Sequence, residues 1–202
     1  MFVIGVTGPS GAGKGEISRL LSLYGARIID ADKVYHFIIA PPSTCLDELV
    51  KCFGEIILNE NGSLNRKALS NIVFADSNRE KLKTLNKITH RYVVDEIRRE
   101  ISELRQSSTQ VCVIDAPLLI EADLCGDCDM TIAVLADKET RWRRIALRDS
   151  ITCDAAMARI NSQKDDQFYI ANTNYTIYND AGVEELKEKL DDILRERNIC
   201  FI

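Results

Sequence analysis

Gly8-Pro9-Ser10-Gly11-Ala12-Gly13-Lys14-Gly15 interleaves glycines with one lysine close to the N-terminus. Gly8, Gly11 and Gly13 lack Cβ, so their backbone can take positive φ and approach a bound group closely. Successive N–H groups then form a nest for an anion. An apolar run, Phe2 to Thr7, precedes the segment and a helical pattern follows it. Strand, glycine loop and helix start in that order are the setting of a phosphate-binding loop. The helix start adds unpaired N–H groups and the positive end of its dipole. Lys14 supplies a full charge for β and γ phosphates, with Ser10, Ala12, Gly15 and Glu16 completing the stretch around them. The competing reading is an ordinary glycine-rich turn, but the position and both flanking elements favour the phosphate loop. One position departs from the pattern. Where Ser or Thr normally follows the lysine and meets Mg2+, this chain has Gly15 and then Glu16.

Three further constellations could serve phosphoryl chemistry. Ile28-Ile29-Asp30-Ala31-Asp32 closes the second predicted strand. In open α/β sheets ligands bind beyond the carboxyl ends of strands, so an acid there can face the phosphate loop. Asp32 is the favoured base for an acceptor hydroxyl; the alternative is an acidic start to the next helix. Arg141, Arg144 and Arg148 follow i, i+3, i+7 spacing and share one helix face. Guanidinium forks suit phosphate oxygens, although a solvated face paired with Glu139 and Asp149 has the same pattern. Val111-Cys112-Val113-Ile114-Asp115 reads as a buried strand ending in an acid. Asp115 could hold a Mg2+ shell, directly or through water, or simply begin a turn. His36 and His90 are the only histidines and assemble into no recognisable triad or metal cluster.

These groups need a scaffold. Strand-like apolar runs recur near 2–7, 26–29, 111–115, 130–136 and 176–178, with helical patterns between them. That alternation predicts an α/β fold: a parallel sheet with helices on both faces, hence three layers. Residues 31–110 are too long for one crossover, and 66–105 carry an almost unbroken helical period, which reads as an inserted substrate lobe. A second helical, highly charged departure spans 138–175. The expected organisation is a nucleotide core of 1–31, 106–137 and 174–202, a helical lobe of 32–105 and a lid of 138–173. Mobile lobes over a rigid sheet suit phosphoryl transfer, which must exclude water.

Composition narrows the class. The chain has 202 residues, net charge −5 and 46% hydrophobic content, which argues against broad nucleic-acid binding and for one compact core. No apolar run reaches membrane-spanning length, and the first one lacks a basic leader and is cut by the glycine loop. A cytoplasmic location, a monomer and no membrane partner are the expectations. Seven cysteines are an odd set with no disulfide framework. Cys125-Gly126-Asp127-Cys128 has the CxxC spacing, but zinc would want a second pair; free thiols are the preferred reading.

With these residues laid out, the chain resembles the dephospho-coenzyme A kinase family over about 2–180. The resemblance rests on Ile4-Gly5-Val6-Thr7-Gly8, Gly25 through Asp32, Phe53-Gly54, Gly62 through Leu69, Val73 through Asp76, Ile88-Thr89-His90, Ala116 through Glu121 and Arg144 through Asp149. It implies a P-loop NTPase core with a helical CoA lobe and a helical lid, using ATP and Mg2+ to phosphorylate the ribose 3′-hydroxyl of dephospho-CoA. It also implies Lys14 on the ATP phosphates, Asp32 as base, His90 near the acceptor, and Arg144 and Arg148 on the lid side.

The chain departs from that pattern at Gly15-Glu16, at Arg91 after His90, at Lys164 through Tyr169 where lid arginines are expected, and at Asn174 in place of an acid. The loop alone is similar to those of cytidylate and adenylate kinases. Two alternatives therefore stand beside the main reading: a nucleoside monophosphate kinase of CMP type, and a nucleotide-binding homologue with weakened catalysis.

Overall fold

The protein is described by a computed structural model covering residues 1–76, 79–199 and 201. Cys200 lies outside the described residues. The strands and helices, in order, are β1 Phe2–Thr7, α1 Lys14–Leu23, β2 Arg27–Asp30, α2 Ala31–Ile38, α3 Thr44–Phe53, α4 Arg66–Phe74, α5 Glu80–Arg105, β3 Val111–Asp115, β4 Met130–Leu135, α6 Lys138–Asp149, α7 Cys153–Asn161, α8 Asp166–Asn172, β5 Tyr175–Tyr178 and α9 Val183–Glu196. Two compact units result: Met1–Asp30 with Ile101–Ile202, and Ala31–Glu100.

The first unit holds a five-stranded sheet in the order β2-β3-β1-β4-β5, with every pairing parallel. Parallel strands are buried on both faces, which is why β3 and β4 read as unbroken apolar runs rather than alternating ones. One face packs against Ile17, Leu20 and Leu21 of α1 and Leu186, Leu190 and Leu194 of α9. On another part of the sheet Ala133 and Leu135 meet Ile120 and Phe168 with the buried Tyr169 of α8. Each fully buried Leu or Ile is worth about 1.5–3 kcal/mol, so this layer holds α1, into which the glycine loop runs, firmly on the sheet. Gly5 in β1 leaves room for its neighbours: a Cβ there would lie 2.7 Å from Leu119 Cδ2 and 2.8 Å from Cys128 Sγ, so both side chains would have to shift.

β2 ends at Asp30, so Asp32 lies beyond the strand. Its pairing with β3 stops at Asp30 opposite Asp115, and Ala31 already opens α2. Asp32 falls in the first turn of α2, where the helix dipole favours an acid.

The second unit is helical, with Leu49, Ile57, Leu69, Val73 and Ile88 at its centre. Ser43 caps α3 and Asn65 caps α4, each side chain accepting from a first-turn N–H. Asn59 through Gly62 form a turn in which Gly62 N–H donates to Asn59 O, with Gly62 at φ +77°. Arg91 pairs with Glu48 and lies 4.8 Å above the Tyr92 ring. The arginine after His90 thus ties α5 to α3 inside this unit.

Candidate active site

The glycine loop runs from the end of β1 to the start of α1, as its sequence requires. Gly8, Gly11 and Gly13 have φ of +138°, +80° and +101°. Backbone atoms also crowd out a side chain at Gly8 and Gly11, and at Gly13 the Asn179 side chain would have to move. A Cβ on Gly8 would sit 2.1 Å from Val134 O, one on Gly11 2.6 Å from Arg141 O, and one on Gly13 2.1 Å from Asn179 Nδ2. Gly15 differs: nothing lies within 4 Å of its Cβ direction, and its φ is not positive. Only the first three glycines are demanded by the backbone. Lys14 begins α1, and its Nζ donates to Gly8 O at 3.0 Å, so the ammonium curls over the loop.

Four side chains from later in the chain hold the outer wall of the loop. Arg141 of α6 is 3% exposed. Its Nε donates to Ser10 O at 3.0 Å and its Nη2 to Gln163 Oε1 at 3.0 Å, while Ser10 N–H donates to the same Gln163 oxygen at 3.1 Å. Burial lowers the Arg141 pKa from its ordinary value, with Asp166 and Tyr169 opposing the shift. Asn179, just past β5 and 7% exposed, donates to Ala12 O at 2.9 Å. Arg144 Nη1 lies 3.4 Å from both Gly11 O and Ala12 O. These contacts satisfy loop carbonyls from outside and give the loop a fixed support.

The arginine stripe therefore divides. Arg141 is a buried support and Arg144 reaches the loop. Arg148 instead forks onto Asp149, Nε to Oδ1 at 2.7 Å and Nη2 to Oδ2 at 3.0 Å, and Arg159 of α7 joins the same carboxylate. The Arg148 fork, first among these partners, pulls the Asp149 pKa down to about 2. Arg143 pairs with Glu139.

Glu16 is also accounted for. Its carboxylate takes Nε and Nη2 of Arg19, at 3.0 and 2.6 Å, one turn along α1. Those bonds lower the Glu16 pKa from its ordinary value. An acid next to a phosphate site is costly when bare; here it faces its own counter-charge.

Asp115 ends β3 between Val6 of β1 and Asp30 of β2. Its Oδ2 accepts a 2.6 Å bond from the Ser18 hydroxyl of α1. Among the described residues no group of three or more His, Cys, Asp or Glu could hold a metal alone. One strand-end carboxylate with phosphate and water oxygens is nevertheless a donor set that suits Mg2+, which keeps waters and binds through one or two carboxylates. Burial pushes the Cys128 thiol up to about 12 and the Cys125 thiol upward too, the direction that keeps both protonated.

Asp32 is exposed in the first turn of α2, and His90 is half-buried in α5; both belong to the second unit. Asn174, where an acid was expected, accepts from Thr131 N and Oγ1 at 2.8 and 3.0 Å and so pins β5 to β4. Sequence reasoning missed Ser18, Gln163 and Asn179. Ser18 could have been found as the i+4 partner of Lys14, and Asn179 from its place after a strand's carboxyl end. Gln163 carries no signal short of the fold.

Comparison with known proteins gives the family and the fold. The family profile for dephospho-CoA kinase matches residues 2–185. A dephospho-CoA kinase of Carboxydothermus hydrogenoformans is 36% identical over 194 residues, covering 96% of this chain and 93% of the relative. A crystal structure from Thermus thermophilus has a TM-score of 0.78 at 28% identity, covering 96% of this chain and 97% of its own. A dephospho-CoA kinase from Campylobacter jejuni shares the fold, with a TM-score of 0.70 at 24% identity over 96% of both chains. The chain belongs to the dephospho-CoA kinase family.

Proposed function

We propose that this enzyme transfers the γ-phosphoryl group of ATP to the ribose 3′-hydroxyl of dephospho-CoA, giving ADP and CoA. The observation that carries the reading is the supported glycine loop with Lys14 at its end, in a chain whose relatives carry that name along nearly their whole length. The loop N–H groups and Lys14 bind the β and γ phosphates. Asp32, two residues beyond the end of β2, accepts the 3′-hydroxyl proton as that oxygen bonds to Pγ and the bond from Pγ to the ADP oxygen breaks. His90 orients the acceptor. Arg144, on the loop carbonyls, stabilises charge on the transferring group; Arg148 joins it by exchanging Asp149 for phosphate. Mg2+, when bound, neutralises the phosphate oxygens, and Asp115 is the residue that would hold its shell. Residues 138–173 act as the lid that excludes water. No helix of the described residues is long and apolar enough to cross a membrane, and we place the reaction in the cytoplasm, carried out by a monomer.

The glycine after the lysine favours a second reading, a nucleoside monophosphate kinase. An acceptor panel separates the two: ADP release from MgATP with dephospho-CoA, CMP or AMP, with Asp32→Asn as control. Turnover with dephospho-CoA alone, lost in Asp32→Asn, is expected. Turnover with CMP and not dephospho-CoA would overturn the proposal. ATP binding with no turnover on any acceptor would point to a homologue of weakened catalysis.

A further inference from the structure

Gly15 leaves this loop without the hydroxyl that usually follows the lysine, and Glu16 is engaged by Arg19. A hydroxyl does reach the area from one turn further along α1. Lys14 and Ser18 stand at i and i+4, hence on the same helix face. Ser18 is 6% exposed, and its Oγ donates to Asp115 Oδ2 at 2.6 Å, the short length of a charge-assisted O–H···O− bond. Asp115 in turn sits at the carboxyl end of β3, registered with Val6 of the strand that runs into the loop. A carboxylate on a strand end can rotate about two side-chain bonds. A donor fixed on a packed helix removes that freedom, since α1 is held by Ile17, Leu20 and Leu21 in the core.

We infer that Ser18 is a positioning residue: by fixing the Asp115 carboxylate it supplies the metal-dependent part of nucleotide binding that a hydroxyl at position 15 would otherwise support. This rests on the proposed role of Asp115 toward Mg2+. It also explains how the loop tolerates Gly15. The hydroxyl is displaced by one turn and acts through the carboxylate instead of on the cation directly.

The test is calorimetric and needs no turnover. ATP affinity is measured with excess Mg2+ and again in EDTA, and the ratio of the two dissociation constants gives the gain due to the metal. The wild-type ratio tests the underlying reading; the variants test the inference. Ser18→Ala is expected to reduce that gain about tenfold, the worth of one hydrogen bond to a charged group, with metal-free ATP affinity close to wild type and a melting temperature lower by about a few degrees for the lost buried bond. Asp115→Asn should lose the gain, and Ser18→Ala added to it should cost nothing more. A Ser18→Ala gain equal to wild type would overturn the inference. So would a Ser18→Ala loss that persists in full on the Asp115→Asn background, because Ser18 would then act elsewhere. A wild-type chain that binds ATP equally well with and without Mg2+ would overturn the Asp115 assignment and the inference together.

Discussion

Replacing Gly8, Gly13 and Gly15 in turn by alanine should give effects of opposite sign within eight residues of chain. At Gly8 the backbone has φ +138° and a new Cβ would lie 2.1 Å from Val134 O, a backbone atom of the interior strand β4. At Gly13 φ is +101° and the Cβ would meet Asn179 Nδ2 at 2.1 Å. A non-glycine residue held at such φ costs about 1–3 kcal/mol. Overpacking adds about 1–3 kcal/mol, so each variant should lose about 2–6 kcal/mol. Gly8→Ala should be the worse, because β4 cannot yield, whereas Asn179 can turn aside at the loss of its bond to Ala12 O. Gly15→Ala should instead gain up to about 1 kcal/mol, since the position is helical and open. Urea unfolding of the three variants measures this directly, and ATP calorimetry follows the loop itself. If Gly15→Ala destabilised the protein as much as Gly8→Ala, or if Gly8→Ala were neutral, the geometric account of the loop would fail.

The loop's outer support and its lid side make further predictions. Arg141→Met leaves Ser10 O without its buried donor and should cost about 2–4 kcal/mol in urea unfolding; Arg141→Lys, which cannot fork onto Ser10 and Gln163 together, should fall between. Arg144→Ala should lower kcat at least about 10²-fold, and more than Arg148→Ala, whose guanidinium is already shared with Asp149; equal losses would refute that ranking in steady-state kinetics. Asp149 has a folded pKa of about 2, below its unfolded value, so its stabilisation is complete above the unfolded pKa and is lost as pH falls toward 2. Asp149→Asn should therefore unfold more easily than wild type at neutral pH, with the difference vanishing near pH 2 in an acid titration followed by circular dichroism.

What could be read from the chain alone follows from how local each signal is. β1, the glycines and α1 are contiguous, and their roles depend on neighbouring residues, so the loop was legible. The buried strands β3 and β4 were legible too, because a parallel sheet needs unbroken apolar runs. The end of β2 was not: an acid closing a strand and an acid opening a helix look alike in Ile29-Asp30-Ala31-Asp32, and only strand pairing separates them. Helical spacing placed Arg141, Arg144 and Arg148 on one face, yet it could not show that the first is buried beneath the loop and the last is tied to Asp149. Gln163 and Asn179 reach the loop across 153 and 167 residues of chain. Contacts of that range depend on the whole topology.

The most direct test is the identity of the product. Purified protein is incubated with MgATP and dephospho-CoA, and the products are followed by phosphorus NMR and mass spectrometry. A new 3′-phosphomonoester on the ribose, formed in equal amount with ADP, is the expected result. Phosphate released to water in place of the ester, or phosphorylation of CMP with dephospho-CoA left untouched, would contradict the account.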